Sequence, residues 1–218
     1  MSSKLTFAVV VTVLGIVGAV DGQGPSEQQV RIERAQAERE VPQLAEVLEL
    51  KPGMTVADVG AGGGAITVVL GKWIGSGRVF ATDIGAPQLQ LIRDYVMREG
   101  LGNVTVVEGR ATSTNLPDGC CDAIFLRDVY HHLSNPEPFN KSLLASLKPG
   151  GRLAVIDFVP DPGSKPPAGV PANREGHGIT PRLVISEVAA AGLTHSSTIE
   201  GWPPGDRNPL FLVLFRKP

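Results

Sequence analysis

Three groups of residues in this 218-residue chain have the types and spacing that chemistry needs. The first is Val56 to Gly64, which reads VADVGAGGG: an acid, Asp58, followed by Gly60, Ala61, Gly62, Gly63 and Gly64. Glycines at the end of a strand let the backbone turn sharply and let a ligand approach the amides. The spacing fits GxGxG, and it fits GxGxxG/A with Ala65 in the last place. The second is Asp83, which closes the next strand-like run. A carboxylate there can accept hydrogen bonds from ribose hydroxyls, so these two groups together point to a nucleoside-bearing cofactor. The third is Tyr130-His131-His132, just beyond another strand-like run, with His177 far away in Arg174-Glu175-Gly176-His177-Gly178. Imidazole titrates near neutrality, so a histidine at this edge can take a proton from an acceptor hydroxyl or amine. The competing role is to cap a helix or bond backbone. His132 is the choice of the adjacent pair. Neighbouring histidines are expected to point apart and HExxH is absent, so no metal site is expected.

Elements that must position these residues follow from periodicity. Pro25–Glu40 is polar and reads as an exposed helix, and Pro42 suits the first turn of a second, with Leu44, Val47 and Leu48 on one face. From Met54 onward, short β-branched runs alternate with helices of about ten residues. Strands are expected over Thr55–Val59, Arg78–Thr82, Val104–Glu108, Asp122–Leu126 and Leu153–Phe158, and helices over Ala65–Trp73, Pro87–Glu99 and Pro138–Leu147. That alternation implies right-handed βαβ units and a parallel sheet covered on both faces. A Pro/Gly-rich loop, Val159–Ile179, reads as an extended lid or a surface linker. Thr180-Pro181 then starts a helix ending near Ala191. Thr194–Glu200 and Leu210–Arg216 are joined too closely for a crossover helix, so they should pair antiparallel.

Composition narrows the classes. Net charge is −2, which gives no electrostatic case for nucleic acid as a partner. The only two cysteines, Cys120 and Cys121, are adjacent, which excludes a disulfide framework and a four-cysteine zinc site; they read as inert packing residues. Leu5–Val20 is apolar apart from Thr6 and Thr12, with Lys4 before it and Asp21 after it. A helix of that run spans about 24 Å, short of the ~30 Å bilayer core. Residues 1–22 therefore resemble a secretory signal peptide, with an uncleaved membrane anchor or a buried first element as alternatives. The chain divides into this leader, a helical segment over residues 23–50 and a main domain over 51–218.

In its order of motifs (ELKPGMTVADVGAGGG, GRVFATDI, NVTVVEG, LPDGCCDAIFLRDVYHHL and LLASLKPGGRLAVIDF) the sequence resembles the class I S-adenosylmethionine-dependent methyltransferases of the methyltransferase-11 type, related to quinone-biosynthesis C-methyltransferases. The resemblance covers about Leu48–Phe158. It implies a three-layer Rossmann-like α/β sandwich with a seven-stranded, mostly parallel sheet of order 3-2-1-4-5-7-6 and a reversed seventh strand. It implies S-adenosylmethionine as cofactor. Asp58, Gly60, Ala61, Gly62 and Gly64 would surround its methionine part, and Asp83 would bind the ribose. Ile84 would pack on adenine, and Arg127 and Asp128 would lie beside the sulfonium and the acceptor. Many relatives place an acid after the glycine that follows the third strand; here Gly109 is followed by Arg110. A guanidinium cannot accept a hydrogen bond from the adenine amino group, so backbone groups of Ala111 and Thr112, or stacking, must hold the base.

The implied function is methyl transfer to a small or lipid-like acceptor, with Tyr130, His131, His132 and His177 converging on the acceptor side. The alternatives are a non-catalytic nucleoside-binding relative and a nicotinamide-dependent reductase; the latter lacks a Tyr-x-x-x-Lys pair. Lys4 before the apolar run predicts an N-in orientation that would export the domain or hold it outside on an anchor; without that leader the domain would be cytoplasmic. Membrane association would come through residues 5–20.

Overall fold

The computed structural model of the chain describes residues 25–205 and 210–218. The leader therefore lies outside the described residues; among these, no helix is long and apolar enough to cross a membrane. Seven strands form one sheet: β1 (Thr55–Val59), β2 (Arg78–Asp83), β3 (Val104–Glu108), β4 (Cys121–Arg127), β5 (Leu147–Phe158), β6 (Thr194–Trp202) and β7 (Leu210–Arg216). Their order is β3-β2-β1-β4-β5-β7-β6, and β7 runs antiparallel to both of its neighbours. This is the Rossmann-like architecture expected from the sequence, with β1 inside the sheet between β2 and β4.

Strand patterning explains the layers. Side chains alternate between the two faces of a strand, so a strand covered on both sides reads as a continuous apolar run. In β4, Ile124 and Leu126 join one core with Val59, Leu143 of α4 (Pro136–Ser146) and Val184 of α5 (Pro181–Ala190). Ala123 and Phe125 join the opposite core with Val56, Leu70 of α2 (Ala65–Trp73) and Leu44. α5 starts as its sequence predicts, with the Thr180 hydroxyl accepting from the Leu183 amide (3.3 Å). The remaining helix, α3, spans Ala86–Arg98. The outermost strand, β6, is polar and exposed along most of its length, and its register with β7 shifts twice.

Three details differ from the sequence reading. The two N-terminal helices are one, α1 (Glu27–Val47), capped by Ser26 and continuous through Pro42. Its buried residues, Ala37, Glu40, Val41, Leu44 and Ala45, lie on both sides of the proline, so packing of that face outweighs the local break. β5 begins at Leu147 because the LKPGG turn is taken into the sheet, with an irregular step in its pairing to β4. Cys120 and Cys121, expected as unbridged packing residues, form a disulfide with each other. Cys120 lies just outside β4, where the alternation that separates neighbouring side chains has not begun.

Leu44 tests whether α1 is part of the folded domain. It is fully buried in the α2 face of the core, so Leu44→Ala should lower unfolding free energy by about 2–5 kcal/mol in urea titrations.

Candidate active site

Everything chemical gathers at the carboxyl edge of the sheet, where strands β1, β2 and β4 end and their loops begin. The amides of Gly60 and Ala61 both donate to the Thr82 carbonyl (2.8 and 2.9 Å), which folds the glycine loop against the end of β2. Gly60 and Gly62 both have positive φ (76° and 54°). A Cβ on Gly60 would strike the Val129 side chain, whereas one on Gly62 would meet nothing within 4 Å and would project into open space. Gly60 therefore serves the packing, and Gly62 keeps the backbone accessible. Gly64, also grouped with the cofactor residues by sequence, lines neither cleft; it is the left-handed N-cap of α2, where a Cβ would meet Ile92 at 3.1 Å.

One cleft of about 410 Å³ lies on the β2 side of this loop. Asp83 stands at its rim, with Oδ2 accepting from the Gly62 amide and Oδ1 from the Gly85 amide, both at 2.9 Å. Each oxygen keeps a lone pair for a further donor. Ile84, 68% exposed, is a large apolar side chain held in the same wall. Arg110, Ala111, Ser113 and Thr114 form the opposite side, with Arg110 and Ser113 closing a tight backbone pair (2.7 and 3.2 Å). Val129, His132, Leu133 and Phe139 complete the cleft beyond β4.

A second cleft of about 420 Å³ lies on the α1 side, between Glu33, Gln36 and Glu40, the loop Gly60–Gly63 including Ala61, and Asp58, Arg127 and Asp128. It is rich in acid. Asp58 is buried and accepts from the Thr67 hydroxyl (2.6 Å). Burial, reinforced by Asp83, pushes its carboxyl up to about 7 against the Thr67 hydrogen bond. Glu40, only 3% exposed, accepts from the Trp202 indole (2.8 Å) and from Arg127 Nε (3.0 and 3.1 Å). Arg127 Nη1 donates in turn to Asp128 Oδ2 (2.6 Å). Burial also raises the Asp128 carboxyl.

The histidines divide by role. Tyr130, His131 and His132 form a 3₁₀ turn after β4. Tyr130, expected beside the acceptor, is instead fully buried and accepts from Asn140 Nδ2 (2.7 Å). His131 is buried as well. Asp157 Oδ2 accepts from its backbone amide (3.1 Å), and Asp157 Oδ1 lies 2.8 Å from Nδ1. Of the pair only His132 lines the cleft. The rings of His131 and His132 are 4.0 Å apart rather than splayed, because a 3₁₀ turn does not separate neighbours as a strand does. His177 arrives from the long loop to 5.3 Å from His131 and 6.5 Å from His132. Gly176 and Gly178 flank it with φ of 126° and 118°, pressed against Ser164 and against the Phe158–Pro160 backbone. No group of three or more His, Cys, Asp or Glu among the described residues is arranged to hold a metal ion.

Sequence reasoning missed Glu40, Trp202, Thr67 and Asp157. Glu40 was legible in principle, since it shares a helical face with Ala37, Val41 and Leu44. The partners of the other three depend on long-range packing.

Residues 57–155 match the family model of a methyltransferase domain, Methyltransf_11. The ubiquinone/menaquinone biosynthesis C-methyltransferase UbiE of Vibrio campbellii is 33% identical over 120 residues, 53% of this chain and 46% of that protein. The chain thus spans about half the length of the curated relatives it matches. A crystal structure of an S-adenosylmethionine-dependent methyltransferase from Aquifex aeolicus superposes with a TM-score of 0.68 at 27% identity, covering 88% of this chain and 99% of that one. Residues 57–155 form a methyltransferase domain, set in the fold of a class I S-adenosylmethionine-dependent methyltransferase. The [4+2]-cyclase SpnF shares the fold alone (TM-score 0.66, 18% identity, 91% of this chain and 85% of that one).

The clefts of this methyltransferase domain fit the cofactor. Gly62 leaves open the space that a Cβ would fill, Ile84 offers a flat apolar surface, and Asp83 presents lone pairs at the rim. The nicotinamide-reductase alternative is set aside by the family match and the reversed β7.

Two predictions follow from this geometry. Asp83→Ala should weaken S-adenosylhomocysteine binding by about 1–3 kcal/mol, and Gly62→Val should abolish it, both read by calorimetry. Asp58 has a folded-state pKa above its unfolded value, so folding takes up a proton between about pH 4 and 7 and its charged form destabilises the protein at higher pH. Asp58→Asn should therefore raise unfolding free energy at pH 8, by up to a few kcal/mol, and the gain should vanish by about pH 4.

Proposed function

We propose that the chain transfers the methyl group of S-adenosylmethionine to a small, largely apolar acceptor that must lose a proton on methylation, with His132 as the base. The observation that carries this reading is the placement of His132. It lines the same cleft as Asp83 and Ile84, beside the apolar Val129, Leu133 and Phe139. Burial, and then the neighbouring His131 and His177, hold its imidazole below the ordinary histidine range. It is thus neutral at pH 7 and able to accept a proton.

The cofactor, when bound, supplies a methyl group on a sulfonium, an electrophile open to in-line displacement. This chain's residues have the remaining tasks. Asp83 and Ile84 would hold the adenosyl half, and Asp58, Arg127 and α1 would enclose the methionyl half. Val129, Leu133 and Phe139 would orient the acceptor and exclude water, which is where most of the rate gain of such a reaction arises. His131, fixed by Asp157, holds His132 in the turn, and His177 covers the pair from the loop side. Tyr130 has no place in this scheme beyond packing the turn. The curated relatives named as quinone-biosynthesis C-methyltransferases support a phenolic or quinol-type acceptor methylated at ring carbon or oxygen. Export or anchoring through residues 5–20 is proposed on the sequence alone, and fractionation of the host with N-terminal sequencing checks it.

Transfer of radiolabelled methyl from S-adenosylmethionine to demethylated naphthoquinols, catechols and simple amines tests the acceptor class; label on the quinols or catechols is expected, and label only on amines would redirect the proposal. The rate should rise with pH through a pKa below 6.5 and level off by neutrality, since the neutral imidazole is the active form. His132→Ala should lower turnover about 10²–10⁴-fold with S-adenosylhomocysteine binding intact. A loss below about threefold would leave alignment as the whole mechanism.

A further inference from the structure

Between residues 159 and 178 the long loop buries a single side chain, and it is a charged one, Arg174; the other buried positions there, Gly176 and Gly178, have no side chain. A buried charge is rare unless it is paired. Arg174 Nη1 donates to Glu187 Oε1 on α5, and Nη2 lies 3.5 Å from the Tyr130 carbonyl. The guanidinium also stands 5.8 Å from the centre of the Tyr130 ring. One side chain thus runs from the loop to α5 and to the first residue of the turn that carries His132. It lines neither cleft.

The backbone just beyond Arg174 depends on being held. Glu175, Gly176 and Gly178 have φ of 68°, 126° and 118°, and Glu175 adopts this left-handed conformation despite its Cβ. Such a segment keeps its shape only when contacts on both sides determine it. Arg174 anchors one side, and on the other the Ile179 amide donates to the Phe158 carbonyl (2.9 Å). Between these anchors the His177 amide donates to Ser164 Oγ (3.0 Å), and its ring stands over the His131–His132 pair. The Arg174–Glu187 pair is poorly built for stability alone. Arg174 Nε and Glu187 Oε2 are both buried with no hydrogen-bond partner among the described residues. Two apolar side chains would join the loop to α5 at least as well. What the guanidinium adds is its reach to Tyr130.

We propose that Arg174 is a positioning residue of the acceptor site: it locks the loop over residues 159–179 to the turn Tyr130–His132, so that His177 stays beside His132 and His132 keeps facing the cleft. The inference rests on the reading of His132 as the base and adds a residue that acts through it. Around His132 stand His131 of its own turn, Asp157 of β5 and His177 of the loop, while Asp128 and Arg110 line the same cleft. Burial, His131 and His177 hold the His132 imidazole down, and Asp157 pushes it up. Release of the loop removes His177 and part of the burial but leaves His131 and Asp157, so the titration midpoint of His132 should rise.

Nuclear magnetic resonance titration of the four histidines in the full chain reads that midpoint without turnover, with the His132 signal assigned by its loss in His132→Ala. Arg174→Met alone would leave the Glu187 carboxylate buried and unpaired, so it is combined with Glu187→Met, which removes both charges together. The double variant should raise the His132 midpoint. It should lower methyl transfer by about 10–100-fold, with S-adenosylhomocysteine binding changed less than about twofold. Arg174→Lys keeps a cation for Glu187 but not the fork that also reaches Tyr130, and it should fall between the two; the same readouts on this variant carry the test if the double variant does not fold. An unmoved His132 midpoint would overturn the proposal. So would a loss of S-adenosylhomocysteine binding as large as the loss of turnover, because that is the pattern of a general structural role. A His132→Ala loss below about threefold would instead overturn the base reading, while the titration still decides whether Arg174 holds the loop and the turn together.

Discussion

A single buried carboxylate ties the site to the fold. Glu40 sits on α1, yet its oxygens are taken by the Trp202 indole at the end of β6 and by Arg127 at the end of β4. Three segments remote in sequence therefore meet at one acid. Removing one member of such a buried pair leaves an uncompensated charge and costs several kcal/mol, far more than an exposed ion pair contributes. The helix that walls the acid-rich cleft cannot move away without exposing that cost. This makes α1 a fixed wall of the site, although it lies before the glycine loop and outside the span matched by the methyltransferase family.

What the sequence made legible was local. The alternation of runs, the glycine turns and the close spacing of the last two strands lead directly to the observed sheet order, because each depends on periodicity or on connection length. Asp83, Ile84 and the glycine loop were legible for the same reason: a strand's end and the loop after it are neighbours in the chain. What escaped depends on contacts across the molecule. Pro42 argued for a break that tertiary packing removes. Tyr130 and His131 were indistinguishable from His132 by type and position, and only the 3₁₀ turn, with Asn140 and Asp157 beneath it, sorts one outward-facing ring from two buried ones. The bridge between Cys120 and Cys121 was missed because adjacent cysteines seldom bridge each other.

The cleft trades stability for electrostatics. Asp58 is buried and Asp128 half-buried, both in surroundings that resist their charge. A fold selected only for stability would place apolar residues at these positions. With Glu40 the two acids make the α1 side of the glycine loop rich in carboxyl groups, whereas the walls beyond β4 are largely apolar. One edge of one sheet thus presents two chemically different surfaces within a few residues, with the loop Gly60–Gly63 between them.

The polar, twice-shifted β6 has a consequence for how these molecules meet one another. A sheet that ends on a flat, apolar strand offers its unpaired amides and carbonyls to any similar strand. Here the final strand carries Thr194, His195, Ser196, Ser197 and Thr198 in succession, and its irregular steps at His195/Ser197 and Glu200/Trp202 bend the rim away from straight pairing. The reversal of β7 that completes the sheet thus also delivers a blunted border, which discourages neighbouring copies from continuing the sheet at that end.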